Sequence, residues 1–264
     1  MQKTVLLSIC TILFILIYIR IRSFSNRETF LSEAKDIFRA VNDYDKLKEA
    51  VDAYSTIECD ARITADHQVI LYHDSMIDGK KVNTLTVNQI EALIRKPVLT
   101  LSFLLQSYKG TVIVEMKGWN KDLINGIGNA IGSRKNVAVT TFHPFALLHF
   151  KSNFPKIAIG YMWCKNCVDY LDPADDEFQL PKILDYKPLR VIVDFLYNLT
   201  GRYVAVLLGA QLVGLEDIDV NASIVEFFKW KNISIFVWNW KARISKLDLE
   251  RIKKKYNVSI CVSK

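Results

Sequence analysis

The sequence TIECDARI, residues 56–63, carries the most informative pattern in the chain. Its β-branched and apolar residues predict a strand. Because successive side chains of a strand point to opposite faces, Glu58 and Asp60 share one face. Two neighbouring carboxylates are costly to bury unless a cation or hydrogen bonds compensate them. The segment therefore predicts a strand that carries a polar site.

Two later segments extend this pattern. Residues 68–72 form a second apolar strand that leads directly into His73. Residues 111–117, TVIVEMK, place Glu115 and Lys117 on one face of a third strand. One E-x-D motif alone is common at sheet edges. Three acids and a histidine at the ends of apolar strands are typical of an oxygen-ligand metal site beside an acid/base group.

The combined motifs resemble the glycerophosphodiester phosphodiesterase superfamily of TIM-type barrels, which includes sphingomyelinase D-like forms. That superfamily has E-L-D on its second strand, H-D after a hairpin and E-I-K on its third strand. The matching residues here are Glu58-Cys59-Asp60, His73-Asp74 and Glu115-Met116-Lys117. Weaker matches are Thr140-Thr141-Phe142 with Pro144 for S-S-F-x-P, and Val237-Trp238 for V-W-T. The resemblance covers roughly residues 35–264.

The first strand departs from the family pattern. The superfamily has His-Arg there, whereas residues 36–42 read DIFRAVN and the earliest histidine is His67. Depending on a one-residue shift, Arg39 replaces that histidine or preserves the neighbouring arginine. We count Arg39 as a substrate-binding residue. The two-histidine acid/base pair that the resemblance implies is broken in this chain.

Strand and helix patterns alternate after the N-terminal segment, which is typical of an α/β chain and predicts a TIM-type (β/α)8 barrel over residues 35–264. The sixth strand is predicted at residues 189–196, with Asp194 near its end. Residues 202–213 are apolar nearly all round. They favour a buried helix, with a membrane-touching insertion as the alternative.

The barrel places the candidate residues at one mouth, because active sites of this fold lie at the carboxyl ends of the strands. The resemblance implies that Glu58, Asp60 and Glu115 bind Mg²⁺ or Ca²⁺ and that Lys117 neutralises a phosphate oxygen. It also implies phosphodiester cleavage through attack by a neighbouring substrate hydroxyl, which forms a cyclic phosphate. His73 then exchanges protons with the attacking or leaving oxygen.

Two further residues are predicted near this mouth. His143 directly follows the strand that ends at Phe142. It either supplies a second imidazole or simply packs at a helix start on Pro144. Trp238 either forms one wall of a pocket for glycerol or a headgroup, or packs in the core.

The N-terminus carries an uncharged apolar run from Thr4 to Ile19, which is flanked by Lys3 and Arg20. At about 1.5 Å per residue a helix there spans roughly 24 Å, somewhat less than a hydrocarbon core of about 30 Å. No small-x-small cleavage site follows the run. We therefore expect a single-pass membrane anchor at residues 1–22 and a connector at residues 23–34. The side of the membrane stays open.

Charge and cysteines restrict the other possibilities. The formal charge of +7 is spread along the chain, with one dense group at residues 251–255. This group is either a solvated helix face or a contact for anionic lipid headgroups. No nucleic-acid-binding motif is visible. The five cysteines do not form a disulfide framework, and Cys164-Lys-Asn-Cys167 is read as ordinary loop thiols rather than a zinc site.

Two functional hypotheses follow from the sequence. The first is a metal-dependent phosphodiesterase that acts on glycerophosphodiesters or lysophospholipids at a membrane. The second is a catalytically inactive barrel that keeps its metal- and phosphate-binding residues as a binding or scaffolding module. The missing first-strand histidine favours the second hypothesis, whereas the complete set of acids with His73 and Lys117 favours the first.

Overall fold

The computed structural model describes residues 29–31, 35–164, 191, 201–239 and 245–262. In these ranges the strands are β1 Asp36–Phe38, β2 Thr56–Ile63, β3 Val69–Leu71, β4 Met76–Ile77, β5 Lys80–Lys81, β6 Thr111–Met116, β7 Val137–Thr141, β8 Ala158–Trp163, β9 Leu212–Glu216, β10 Ser234–Trp238 and β11 Ser259–Val262. The α-helices with assigned bounds are Tyr44–Ala53, Val87–Ile94, Leu101–Ser107, Lys121–Ile131, Pro144–Asn153, Ala222–Trp230 and Lys246–Tyr256.

Eight of these strands form a closed parallel barrel. The order along the sheet is β1-β11-β10-β9-β8-β7-β6-β2, and β1 also pairs with β2 through Phe38 and Ile57. β3 pairs antiparallel with the carboxyl end of β2, at residues 61–63, and the two strands form a hairpin. This closed parallel sheet with helical crossovers confirms the TIM-type barrel that the sequence predicted.

The sixth barrel strand is not where the sequence placed it. It is β9, whose pairing with β8 and β10 runs through Leu212–Glu216. Residues 201–208 form the helix that precedes it. The predicted strand at residues 189–196 lies outside the described residues except for Val191, which is helical. The apolar character of residues 202–213 concealed the change from helix to strand.

Side chains separate into two layers around the sheet. One buried cluster, which includes Ile37, Ile113, Ala138, Phe236 and Cys261, fills the inside of the barrel. The alternating residues of the same strands pack in a larger cluster against the surrounding helices. This alternation identifies which side chains reach the mouth.

Local sequence signals explain several helix starts. The Asp43 side chain accepts a hydrogen bond from the Lys46 amide and begins the helix Tyr44–Ala53. Thr86 and Gln89 form a reciprocal capping box before Val87–Ile94. Pro144 occupies the first turn of the helix Pro144–Asn153, where its missing N–H costs nothing. The first and last of these helices follow the carboxyl ends of β1 and β7.

The segment before β1 closes the other end of the barrel. The Leu31 amide donates to Ser234 Oγ at 2.8 Å, and the Lys35 amide donates to Ser259 Oγ at 3.1 Å. The Leu31 side chain is buried with the interior cluster. Part of the predicted connector at residues 23–34 therefore packs on the barrel.

The predicted membrane anchor must be corrected. Among the described residues, no helix has the length and apolarity needed to cross a bilayer. Residues 1–22 themselves lie outside the described part of the chain. The expectation of a single-pass membrane protein is therefore withdrawn.

Candidate active site

Three buried carboxylates meet at the carboxyl ends of two adjacent strands. Glu58 and Asp60 lie on β2, Glu115 lies on β6, and the register pairs Asp60 with Glu115. Their side chains offer oxygens that lie within 4.8 Å of one another. The three residues are only 5%, 4% and 7% exposed. We call this group the acidic triad.

Lys117 supplies a positive charge to the acidic triad. Its Nζ lies 2.5 Å from Glu115 Oε1 and 3.1 Å from Asp60 Oδ1. Burial alone would lower the pKa of Lys117, but the carboxylates of Glu115 and Asp60 outweigh burial and raise that pKa above its usual value. The backbone amide of Lys117 also donates to the Ala61 carbonyl at 3.0 Å, which holds the residue beside β2.

The acidic triad carries more negative charge than its neighbours compensate. Burial, with repulsion from Asp60 and Glu115, raises the pKa of Glu58 to about 8, while Arg39 and the Ala40 amide oppose the rise. The Ala40 N–H donates to Glu58 Oε2 at 3.0 Å. Hard carboxylate oxygens at this spacing fit Mg²⁺ or Ca²⁺, and a divalent ion would balance the excess charge. The residues present therefore fit the predicted metal.

Arg39 lies at the mouth, whereas Phe38 does not. Phe38 packs outside the barrel, with its ring 4.8 Å from that of Tyr54. Arg39 Nη1 donates to the Asn239 carbonyl at 2.8 Å, just beyond β10. Ala40 then adopts a positive φ of 55°, which is uncommon for a residue with a Cβ and turns its N–H towards Glu58. The first strand thus delivers arginine to the mouth.

His73 is positioned by the β2–β3 hairpin. The amide of Tyr72, the preceding residue, donates to the Asp60 carbonyl at 2.9 Å. The His73 ring is 35% exposed, and its Nδ1 lies 2.8 Å from Asp74 Oδ1. If Nδ1 carries the hydrogen of this bond, Nε2 is the basic nitrogen of the neutral ring.

Arg62 organises the site and was not singled out from the sequence. Its Nε donates to the His73 carbonyl at 3.0 Å and its Nη1 to the Lys117 carbonyl at 3.3 Å. The side chain is buried. The sequence could have indicated this residue, because Arg62 continues the alternation that puts Glu58 and Asp60 on one face of the strand.

The other two predicted residues are buried near the same mouth. His143 precedes the helix that starts at Pro144, and burial together with the charge of Lys117 lowers its pKa to about 4. Trp238 packs in the interior cluster, with its ring 5.8 Å from Phe142 in an edge-to-face arrangement. Both placements allow the structural roles that the sequence analysis left open.

A second group of acids was also missed. Glu216 ends β9 and pairs in register with Trp238, and the neighbouring Asp217 and Asp219 lie in the short 3-10 helix that follows. All three are buried. Their segment begins at the end of LVGLE, whose first two residues were assigned to the predicted apolar helix at residues 202–213, so their position at the end of a barrel strand was hidden.

The cysteines differ from the expectation in one respect. Cys59 and Cys261 are free and buried. Cys164 is disulfide-bonded, so its reading as an ordinary loop thiol was wrong. Cys167 lies outside the described residues.

Comparisons by sequence find no relative. No family model matches the chain, and no curated protein matches it either.

Comparisons by structure find glycerophosphodiester phosphodiesterases. One provisionally assigned enzyme of this kind from Galdieria sulphuraria is 17% identical, with a TM-score of 0.64 over 89% of this chain and 95% of that one. A glycerophosphodiester phosphodiesterase from Agrobacterium tumefaciens is 14% identical, with a TM-score of 0.61 over 86% and 96%. A phosphodiesterase from Oleispira antarctica, in complex with the product sn-glycerol-3-phosphate, is 12% identical, with a TM-score of 0.60 over 88% and 93%.

These similarities extend over nearly the whole of both chains in each comparison. At such low identity they establish the fold: the chain is a barrel of the kind found in glycerophosphodiester phosphodiesterase structures. The resemblance first drawn from residues 58–60, 73–74 and 115–117 is therefore matched by the architecture of the whole barrel.

Proposed function

We propose that the protein is a metal-dependent phosphodiesterase of the glycerophosphodiester phosphodiesterase type. The observation that carries the proposal is the acidic triad, buried within 4.8 Å at a barrel mouth and bridged by Lys117. Burying these charges is costly and serves no packing purpose. The similarity to barrels described as phosphodiesterases supports a glycerophosphodiester as the substrate. A lysophospholipid is the alternative that the sequence resemblance implies.

The acidic triad would hold Mg²⁺ or Ca²⁺, which stabilises negative charge on a phosphate and lowers the pKa of a bound hydroxyl. Lys117 and Arg39 would place two permanent positive charges against the phosphate oxygens. Binding of the phosphodiester is thus assigned to residues that lie on β2, β6 and the end of β1.

His73 would act as the proton-transfer residue. A neighbouring substrate hydroxyl loses its proton as its oxygen forms a bond to phosphorus, and the leaving alcohol oxygen departs with the electron pair of the broken bond and receives a proton. His73 Nε2 can exchange one of these two protons, and the oxygen on the opposite side of the phosphorus would exchange its proton with solvent. Its bond to Asp74 favours the tautomer that this role requires. The products are a cyclic phosphate and an alcohol.

One observation favours a second candidate, a catalytically inactive barrel that binds a phosphate compound. The chain has no histidine before His67, and Arg39 occupies the mouth at the end of β1. A guanidinium stays protonated and cannot exchange a proton. Such a barrel would bind the cation and substrate without turning the substrate over.

The deciding experiment measures cleavage of a panel of glycerophosphodiesters and lysophospholipids, as release of the alcohol, with Mg²⁺, with Ca²⁺ and with excess chelator. We expect activity that needs the cation. His73→Ala should then lower turnover by about 10²–10⁴-fold, which is the usual effect of losing a positioned acid/base group. His67→Ala is the matched control, because His67 is 71% exposed and pairs with Asp122.

Calorimetric titration of Mg²⁺ separates binding from turnover. Asp60→Asn should abolish cation binding, whereas Asp52→Asn, on the exposed face of the helix Tyr44–Ala53, should leave it unchanged. Cation and substrate binding without cleavage would support the inactive barrel. Cleavage that survives both His73→Ala and chelator would overturn the site assignment.

A further inference from the structure

Thr140 is a buried hydroxyl beside the acidic triad. The residue is 0% exposed, and its Oγ1 has no hydrogen-bond partner among the residues that the structure describes. A buried hydroxyl without a partner costs on the order of 1–3 kcal/mol. Neither the proposed mechanism nor the packing of the barrel accounts for a polar group at this position.

The strand register places Thr140 next to the acidic triad. Asp60 pairs with Glu115, Glu115 pairs with Thr140, and Thr140 pairs with Gly160. Ala138, two residues before Thr140, belongs to the interior cluster, and Ile113 in β6 does too. Strand alternation therefore puts Thr140 and Glu115 on the inner face as direct neighbours.

The Thr140 methyl group faces away from the acidic triad. A Cβ built on Gly160 would lie 2.7 Å from Thr140 Cγ2, so the methyl group occupies the space that Gly160 leaves on the β8 side. The hydroxyl is another substituent of the same tetrahedral carbon, so it does not occupy this space beside Gly160. Glu115 lies on the side of Thr140 opposite to β8, and its Oε1 is already bound to Lys117.

We propose that Thr140 is a positioning residue for the cation, and that its hydroxyl holds a water molecule in the coordination shell of the ion bound by the acidic triad. Mg²⁺ keeps several of its waters in protein sites. The hydrogens of such a water need acceptors, and a threonine hydroxyl oxygen can accept one. Groups of this kind usually contribute about 10- to 100-fold to metal affinity. The inference rests on the cation part of the proposed function.

Calorimetric titration with MgCl₂ tests the inference on the purified protein. Thr140→Val keeps the shape of the side chain and removes only the hydroxyl, so it should weaken Mg²⁺ binding by about 10-fold or more. Thr140→Ser should bind as the wild type does. The matched control is Thr141→Val, because Thr141 is buried on the other face and its Oγ1 accepts a hydrogen bond from the His143 amide at 3.3 Å. This control should not change Mg²⁺ affinity.

Thermal unfolding in excess chelator gives a second readout. Thr140→Val should unfold at the wild-type temperature or above, because the hydroxyl has no protein partner to lose, whereas Thr141→Val should unfold at a lower temperature. Thr140→Ala replaces Thr140→Val in the titration if the valine variant does not fold.

The possible failures are distinguishable. Wild-type protein that binds Mg²⁺ through Asp60, together with a Thr140→Val affinity within about twofold of wild type, would overturn the role of Thr140 alone. Equal losses in Thr140→Val and Thr141→Val would also overturn it, since they would indicate a general effect on the strand. A folded wild-type protein that binds no Mg²⁺ would overturn both this inference and the cation in the proposed function.

Discussion

His143 should make the stability of the protein depend on pH in a way that one substitution removes. The residue is 8% exposed, and burial and the charge of Lys117 lower the pKa of its imidazole to about 4, from 6.5 in the unfolded chain. The unfolded state therefore binds a proton more readily than the folded state. The stability that depends on the neutral ring is complete above pH 6.5 and is lost as the pH falls towards 4.

The size of the effect follows from these two pKa values. On going from about pH 7.5 to about pH 5, protonation of the unfolded chain at this one residue should lower the free energy of unfolding by about 2 kcal/mol. His143→Gln cannot titrate, so the variant should lose about 2 kcal/mol less than wild type over the same interval. Every other titrating group contributes equally to both proteins and cancels in the comparison.

Urea denaturation at several pH values, in the presence of chelator, measures the difference. His149→Gln is the control, because His149 lies on the exposed side of the same helix and should leave the pH dependence as it is. Parallel pH curves for wild type and His143→Gln would refute the reasoning and would mean that the imidazole charges normally. His143 would then again be a candidate for the second imidazole, acting as a general acid near neutral pH.

Three further substitutions test the supports of the site by chemical denaturation in chelator. Arg62→Met should lower the free energy of unfolding by about 2 kcal/mol or more, because two carbonyls lose a charged donor. An effect below about 0.5 kcal/mol would contradict that role. Lys117→Met should cost about 3–5 kcal/mol, since it leaves Asp60 and Glu115 buried without their cation. Unchanged stability would mean that these carboxyls are not ionised. Gly160→Ala should lower the free energy of unfolding by about 1–3 kcal/mol, because the added Cβ would lie 2.7 Å from Thr140 Cγ2. An unchanged free energy of unfolding would show that β7 can shift to make room for the methyl group.

The parts of the fold that the sequence predicted correctly are those with strong local patterns. β2 alternates charged and apolar residues as a strand does, and β6 is an apolar run that carries Glu115 near its end. Their acids come together because parallel strands end at one mouth. The prediction of the sixth strand was wrong because its segment lacks a strong local pattern. Residues 212–216 follow the helix at residues 201–208 after only three residues, and both segments are largely apolar, so neither periodicity nor polarity marked the boundary.

The candidate site likewise contains residues that the sequence could identify and residues that it could not. The acidic triad and Lys117 could be grouped from their two-residue spacings. The roles of Arg62 and Thr140 depend on which backbone carbonyls and neighbouring strands they meet, and those contacts join residues that are distant in sequence. The low pKa of His143 likewise depends on its burial and on Lys117, which lies on another strand end. No local pattern encodes such relations.

Arg39 determines how the two functional candidates differ. The sequence left open whether residue 38 or 39 stands at the position of the missing histidine, and the structure directs only Arg39 to the mouth, because Phe38 packs outside the barrel on Tyr54. A guanidinium binds phosphate oxygens strongly but cannot exchange protons. Under the proposed function, the mouth would keep its positive charges for the phosphate and would lack one of the two proton-transfer groups that the family resemblance implies. Substrate affinity should consequently be preserved better than turnover, and the comparison of the two quantities, rather than binding alone, separates an enzyme from an inactive barrel.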